Sequence, residues 1–248
     1  MKSLKVLYKT EIKMAVREFS GLLFGVMLPV GIILLLGIIY DNQIVEGSNY
    51  LKIQQSVAAV LTIGICATGL MSIPITLSGY REKKLLKRFE VSPTTPILII
   101  LVQFLSNLTV ALVSAGLVIG VSIIFFDYNM LGSIPWFVLG YLTVVFCIYS
   151  IGMLVASVAP SVKASNFLST ILYFPMFFLS GATIPYEIMP EGLKTLSNIM
   201  PLTHGIKMLK HITLGGPISE LSQSFILLLA IGLICTIISI KTFRYDYN

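Results

Sequence analysis

Six long apolar runs, separated by shorter polar segments, dominate the pattern of this 248-residue sequence. Each run is close to or above the roughly 20 residues that a helix needs to cross a bilayer. Backbone polar groups in lipid must be satisfied within their own segment, so the runs are predicted to be helices. The runs are Phe19 to Tyr40, Ser56 to Gly79, Ile97 to Phe126, Trp136 to Ala159, Asn166 to Ile184 and Ser224 to Ile240. We therefore predict an all-α polytopic membrane protein whose six transmembrane helices, the first to sixth spans, form a single domain over 1–248.

Composition agrees with a chain whose main solvent is lipid. Hydrophobic residues make up 56% and charged residues 11%, whereas a soluble domain has roughly a quarter charged residues. The third run is longer than a perpendicular crossing requires, so that helix should tilt or extend beyond the bilayer. The first run begins only near Phe19 and has no small-residue cleavage site behind a short apolar core. We therefore expect Met1 to be retained and the first span to be permanent.

Lysine and arginine are divided unequally between the segments that join the runs. Thirteen of the 17 lie before the first run, between the second and third, between the fourth and fifth, and after the sixth. Cytoplasmic connections carry the excess of positive charge, so both termini are predicted to be cytoplasmic. The net charge of +6 is spread over these connections, which favours a membrane surface over a nucleic-acid site.

The segment 1–18, ahead of the first span, has the pattern of a basic amphipathic helix. Leu4, Tyr8 and Ile12 share one helical stripe, and lysines at positions 2, 5, 9 and 13 occupy the adjoining stripe. This pattern predicts a helix along the cytoplasmic membrane interface. It serves either as a simple anchor or as a lever that touches a cytoplasmic partner.

The connection between the second and third spans mixes charged and apolar side chains. Over 81–92 the charges alternate with Leu85, Leu86 and Phe89, and Pro93 then forces a break. A short amphipathic cytoplasmic helix would fit this pattern. It is either a solvated positive-inside loop or a surface on which a soluble protein docks.

Two spans carry stripes of small, polar and aromatic residues at helical spacing. The second span has Thr62, Cys66, Gly69, Ser72 and Thr76, and the fifth has Asn166, Ser169, Thr170, Tyr173, Phe177 and Ser180. Such stripes usually face protein rather than lipid. They represent either helix packing or the lining of a path for an amphipathic substrate, and the fifth-span stripe is the stronger candidate for a path.

Several kinds of chemistry find no support in the sequence. No acidic, basic or histidine residue lies deep in any run, although ion-coupled carriers usually need such groups there. The sequence also contains no G-x-x-x-x-G-K-[ST] phosphate loop. The three cysteines lie inside apolar runs, and His204 and His211 lack the spacing of a metal site. We expect no enzymatic activity, no metal and no cofactor in this chain.

The end of the fifth run and the segment beyond it carry an ordered set of small and proline residues. The set is Ser180-Gly181, Pro185, Pro190 and Pro201 with Leu202-Thr203. It resembles type 2 ABC-transporter permeases, in which a Ser-Gly pair ends the fifth span and prolines punctuate a membrane-dipping outer hairpin. The basic connection, from Arg81-Glu82 to Pro93, also resembles that family, and the resemblance covers essentially the whole chain.

The resemblance implies specific partners and roles. Two permease subunits, identical or related, would each sit on a subunit that binds ATP and Mg²⁺. The connection over 81–92 would be the coupling helix, with Arg81, Glu82, Lys84, Leu85, Lys87 and Arg88 facing the ATPase. The first, second and fifth spans would surround the substrate path, and the outer segment 185–223, with Pro185, Pro190 and Pro201, would form an extracellular re-entrant helical hairpin that caps the exit.

The expected function is therefore ATP-driven export through the plasma or bacterial inner membrane. An uncharged path lining favours a hydrophobic or amphipathic cargo, such as a drug, an antimicrobial peptide or a lipid-like molecule. Export of a cell-envelope glycan, a non-transporting membrane sensor and a passive channel are the alternatives. High isoleucine and lysine usage favours a bacterium of low GC content.

Overall fold

The computed structural model describes residues 2–40, 43–45, 50–85, 96–184, 186 and 189–243. Within these ranges the regular elements are helices, apart from one isolated β-bridge between Ile44 and Leu51. Six of the described helices are long and apolar enough to cross a membrane. The prediction of an all-helical, six-span membrane protein is thus confirmed.

The helix bounds differ from the apolar runs mainly at the second and fifth spans. The first span consists of Phe19–Leu22, a π-helical turn at Leu23–Met27 and Leu28–Tyr40; the others are Lys52–Glu82, Pro96–Phe126, Ile134–Val158, Val162–Leu179 and Ser222–Thr242. The second span contains another π-helical turn, Ala67–Ser72. The shorter helices are Lys2–Arg17, Glu191–Ile199 and Pro201–Thr213, with a 3-10 turn at Ile218–Leu221.

Local capping explains why the fifth span begins and ends earlier than its apolar run. The Ser161 side chain accepts a hydrogen bond from the Ala164 backbone N–H and so caps the first turn. At the other end Leu179 is the last helical residue, Ser180 is the C-cap and Gly181 adopts φ +94°. Few residues other than glycine adopt this conformation readily. The residues after Gly181 are apolar, and hydropathy alone therefore counted them in the span.

The second span is the central helix of the bundle. It contacts the first, third, fourth and fifth spans and the outer helix Pro201–Thr213, and most of its residues are buried. The sixth span packs mainly on the fourth. The first, third, fifth and sixth spans each leave a broad apolar face exposed, as expected for helices that meet lipid or a second subunit.

The N-terminal helix Lys2–Arg17 packs on the third span and leaves Lys5, Lys9 and Lys13 of its basic stripe exposed. The Tyr8 hydroxyl lies 2.6 Å from the Thr109 hydroxyl of the third span. The Tyr80 hydroxyl, near the end of the second span, donates a hydrogen bond to the Glu11 carboxylate. This helix is therefore attached to the bundle through specific polar contacts.

Two short helices lie between the fifth and sixth spans along the chain, in the segment that the charge distribution assigns to the outer side of the membrane. Pro190 is the N-cap of Glu191–Ile199, and Pro201 is the first residue of Pro201–Thr213. Proline suits the first turn of a helix because the N–H it lacks would be unpaired there. The second of these helices is largely buried against the second and fourth spans. Pro185 lies outside the described residues.

Candidate substrate pathway and coupling segment

An inner cavity lies between the end of the N-terminal helix and the first, second, third and fifth spans. Its volume is about 270 Å³. The polar side chains that line it are Glu18, Thr68, Ser72, Asn107 and Asn166, and apolar contacts come from Phe24, Met71, Ile75 and Val110. A cavity with one apolar wall and several hydrogen-bonding groups suits an amphipathic molecule.

Two of the predicted path residues, Ser72 and Asn166, meet in this cavity. Sequence reasoning missed Glu18 and Asn107. Glu18 stands just before the first apolar run, where its charge is typical of the interface, and Asn107 lies in the long third run, outside the two predicted stripes. The expectation of a lining without charge is therefore wrong, because the Glu18 side chain lines the inner cavity. The group of polar residues Gln103, Ser106 and Asn107 inside a 31-residue apolar helix is the sequence signal for this part of the cavity.

The π-helical turn at Ala67–Ser72 divides the second-span stripe. A π turn holds one more residue than an α turn, which rotates the following positions by about 100° around the axis. Thr62 is fully buried, and Gly69 packs against Tyr149 of the fourth span. Thr62 and Gly69 thus occupy helix-packing positions, whereas Ser72 lines the inner cavity and Thr76 is half-buried.

The buried face of the fifth span carries hydroxyl groups that lack hydrogen-bond partners. Among the described residues, six buried side-chain atoms lack a partner, and four of them belong to Ser165, Ser169, Tyr173 and Ser180. This face packs chiefly on the second span, where the Ser78 hydroxyl is also unpaired. We call these five residues the polar seam. Each unpaired buried group costs about 1–3 kcal/mol.

The remaining fifth-span candidates lie beside the polar seam. Thr170 and Phe177 are half-buried, and Asn166 is exposed toward the inner cavity. The Tyr173 and Phe177 rings stack with centroids 5.5 Å apart. The predicted stripe is therefore mostly internal, and the outward face of this span consists of Phe167, Ile171, Phe174 and Phe178.

An outer cavity of about 460 Å³ lies at the opposite end of the polar seam. Ser180 and Gly181 line it together with the outer ends of the first and second spans and the helix Pro201–Thr213. Three lysines also border it. Lys52 donates to the Gln43 side chain at 2.9 Å, and Lys207 donates to the Asn198 side chain at 2.8 Å. The third is Lys210.

The start of the predicted coupling segment is partly engaged within the chain. Arg81 is only 4% exposed and bonds to carbonyl groups at the end of the fourth span. Glu82 accepts a hydrogen bond from the Val162 backbone N–H. The expectation that Arg81 faces the ATPase is wrong, because its guanidinium is buried against the fourth span. Lys84 is exposed and Leu85 half-buried, while Lys87 and Arg88 lie outside the described residues.

Attachment of the N-terminal helix is expected to depend on pH through Glu11. Burial raises the pKa of this carboxyl above its ordinary value, and the Tyr80 hydrogen bond offsets part of that increase. The docked state therefore binds the proton more tightly than the undocked state. The contribution of Glu11 to docking is complete below the ordinary carboxyl pKa, and it is lost as the pH rises through the raised pKa.

Replacement of this carboxyl by an amide tests the expected pH dependence. In Glu11→Gln the side-chain oxygen can still accept from Tyr80, but no ionisation remains. We expect the unfolding temperature of the wild type, relative to Glu11→Gln, to fall as the pH rises above the ordinary carboxyl pKa. Equal pH profiles for the two proteins would show that Glu11 does not titrate in its docked position. Glu11→Ala should lower stability throughout, because it also removes the acceptor.

Six apolar helices with two cavities between them define a multi-pass membrane protein. The family can be named from comparison with known proteins. The model of the ABC-2 type transporter family matches residues 2–214, and the chain therefore belongs to that family. Permease subunits of this family are generally non-catalytic and typically work with an ATP-binding subunit.

Several curated relatives share part of this sequence. The chain is 31% identical over 170 residues to the inner membrane transport permease YhhJ of Escherichia coli K12. The matched region covers 66% of this chain and 44% of YhhJ. It is 34% identical over 94 residues to nodulation protein J of Rhizobium leguminosarum bv. trifolii, covering 38% of this chain and 34% of that protein. The matched regions thus span less than half the length of either relative.

Proposed function

We propose that this chain is the membrane subunit of an ATP-driven exporter that moves a hydrophobic or amphipathic molecule outward. A separate subunit would bind ATP and Mg²⁺, and a second permease, identical or related, would complete the transporter. Both termini would be cytoplasmic. The observation that carries the proposal is the polar seam, a line of unpaired buried hydroxyls that runs between the inner and outer cavities.

The unpaired hydroxyls are accounted for if the second and fifth spans separate during transport. In the closed seam, Ser169 and Tyr173 lose their hydrogen bonds to water without gaining protein partners. In an open seam they would bond to water or to polar groups of the cargo. The unpaired groups thus raise the free energy of the closed state. Less free energy is then needed to reach the open state, and closure of the ATP-binding subunits can supply it.

The inner cavity supports an amphipathic rather than a wholly polar cargo. Phe24, Met71 and Ile75 offer an apolar wall, and Asn107 and Asn166 offer amide groups for hydrogen bonding. Asn107 is 5% exposed, and its amide nitrogen already donates to the Gln103 carbonyl at 2.9 Å. Its side-chain oxygen can accept a hydrogen bond from the polar end of a cargo.

Transport is tested directly in sealed inside-out vesicles that contain the chain and an ATP-binding protein that co-purifies with it. Rhodamine 6G, an NBD-labelled phospholipid and a labelled antimicrobial peptide serve as probes. We expect uptake of at least one probe with ATP and Mg²⁺, and none with a non-hydrolysable ATP analogue. ATP-independent flux would support a channel. Absence of movement of every probe, with no ATPase associated with the chain, would support a sensor.

Tyr173→Phe separates a transport role of the polar seam from a packing role. The change removes an unpaired buried hydroxyl, so it should raise the free energy of unfolding by about 1 kcal/mol. Transport should nevertheless fall about fivefold, because the open seam loses one hydrogen bond of similar strength. Unfolding in detergent and the initial rate of probe uptake measure the two effects.

Tyr141→Phe is the matched control for this substitution. The Tyr141 hydroxyl is also buried, but it donates to the Ala111 carbonyl at 2.9 Å. Its removal should lower stability by about 1 kcal/mol and leave transport unchanged. If transport followed stability in both variants, Tyr173 would have no role beyond packing.

A further inference from the structure

Two adjacent side chains at the end of the second span bind the turn that joins the fourth and fifth spans. One guanidinium nitrogen of Arg81 donates to the Ala159 carbonyl at 2.7 Å, and another donates to the Ala156 carbonyl at 2.9 Å. Ala156 and Ala159 lie at the C-terminal end of the fourth span, where carbonyl groups lack helical partners. A cation is favoured at this end of a helix by the helix dipole.

Glu82 binds the other side of the same turn. Its carboxylate accepts a hydrogen bond of 2.7 Å from the backbone N–H of Val162, the first residue of the fifth span. An anion is favoured at a helix N-terminus for the same electrostatic reason that a cation is favoured at the C-terminus. The charge order Arg81-Glu82 therefore matches the order of the two helix ends that meet at this turn.

The pair lies at the end of the second span, where the connection to the third span begins. The second span ends at Glu82 with Lys83 as its C-cap, and Lys84 then adopts φ +53°, so the chain changes direction there. Arg81 also lies 5.4 Å from the ring of Phe243, which follows the sixth span. Among the described residues up to position 85, Arg81 and Glu82 are thus the last whose side chains form hydrogen bonds with neighbouring helices, and the exposed Lys83 and Lys84 follow them.

We propose that Arg81 and Glu82 are positioning residues that transmit movement of the 83–92 connection to the fifth span. This inference rests on the proposed function. The two side chains, called the inner clamp, hold the inner ends of the second and fifth spans together. A displacement at the connection then moves both ends as one body, and the polar seam separates toward the outer cavity. Without the inner clamp, movement of the connection would not pivot the two spans about their inner ends, and the seam would not open toward the outer cavity.

Cys66 provides a reporter of seam opening that requires no knowledge of the cargo. It is fully buried in the part of the second span that contacts the fifth span. A thiol reagent reacts through the thiolate and therefore needs water at the sulfur. In a Cys147→Ala/Cys235→Ala background, N-ethylmaleimide should label Cys66 faster when ATP and Mg²⁺ drive the assembled transporter.

The inner clamp is tested with Arg81→Lys, Glu82→Ala and Glu82→Gln in this background. Lysine keeps the charge but lacks the planar fork that reaches two carbonyls, and glutamine keeps an acceptor without charge. Lys163→Ala, which removes an exposed charge from the first turn of the fifth span, is the control. The measurements are ATPase co-purification, basal ATP hydrolysis and the ATP-induced change in Cys66 labelling.

We expect Arg81→Lys and Glu82→Ala to retain the ATPase and its basal activity but to lose the ATP-induced labelling increase about tenfold, which is the effect expected for a charged hydrogen bond. Glu82→Gln should be intermediate, and Lys163→Ala unchanged. If a clamp variant showed increased Cys66 labelling without ATP, the substitution would have loosened the bundle and the clamp would not be supported. If a clamp variant were labelled like the wild type, a positioning role would be excluded. Loss of co-purification would mean direct docking. A wild-type chain that recruits no ATPase would overturn the proposed function and, with it, the clamp.

Discussion

Replacing Gly152 by alanine adds one methyl group inside the helix bundle. We expect it to destabilise the bundle more than the same replacement at Gly116. A Cβ at this position would lie 2.0 Å from the carbonyl oxygen of Gly69 and 3.0 Å from its carbonyl carbon. These atoms belong to the backbone of the π-helical turn and cannot rotate away, so the second and fourth spans must move apart. Overpacking of this kind costs about 1–3 kcal/mol, and more where the backbone itself is displaced.

Separation of these two helices would also disturb a buried hydrogen bond. The Thr68 and Tyr149 hydroxyls lie 2.8 Å apart across the same contact, and Thr68 lines the inner cavity. We therefore expect Gly152→Ala to lower both the unfolding temperature in detergent and the yield of folded protein. Transport should decline along with the folded fraction.

Gly116→Ala is the control for this prediction. A Cβ on Gly116, in the third span, would meet no atom within 4 Å. Alanine has the higher helix propensity, by about 1 kcal/mol, and should leave stability unchanged or slightly increased. Equal unfolding temperatures for Gly152→Ala and Gly116→Ala would contradict the close contact between the second and fourth spans.

The second large effect is expected from charge reversal at the exposed start of the 83–92 connection. Lys83 and Lys84 are exposed and follow directly on the inner clamp. If the ATPase docks on this connection, Lys83→Glu/Lys84→Glu should reduce its co-purification at least tenfold, because opposed charges at an interface become like charges. Arg81 is left intact, since removal of its buried guanidinium would unpair two carbonyl groups.

A second pair of reversals distinguishes a specific dock from general attraction. Lys163→Glu/Lys241→Glu changes the net charge equally, at other exposed positions assigned to the same side of the membrane. The ATPase should still co-purify with this second variant. If both pairs reduced it equally, docking would not be centred on the 83–92 connection. If the wild type itself bound no ATPase, the sensor hypothesis would replace the exporter.

The six-span fold could be predicted because its signal is local and strong. Long apolar runs, the unequal distribution of Lys and Arg, and the Ser180-Gly181 helix end all reside in contiguous residues. The two π-helical turns could not be predicted in this way. Their residues, such as Ala67 to Ser72, are ordinary helix formers, and the extra residue in each turn is accommodated by neighbouring spans. A strict 3.6-residue period therefore assigned Thr62 and Thr76 to one stripe.

The candidate site was predicted only in part for a related reason. Asn166 and Ser72 carried a polar signal within apolar runs, and both line the inner cavity. Glu18 was overlooked because a charged residue at the edge of a run looks like part of the solvated interface. Arg81 was read as a docking residue because nothing in a basic segment distinguishes an exposed arginine from one that binds a distant helix end.

The amino-acid sequence by itself determined the solvent, the number of spans and their helical structure, because transfer to lipid depends on each segment's own side chains and backbone. Tertiary structure alone decided which polar groups meet. The inner cavity, the polar seam and the inner clamp join residues from up to four different spans. Their chemistry depends on distances across helix contacts, which hydropathy along one segment does not encode.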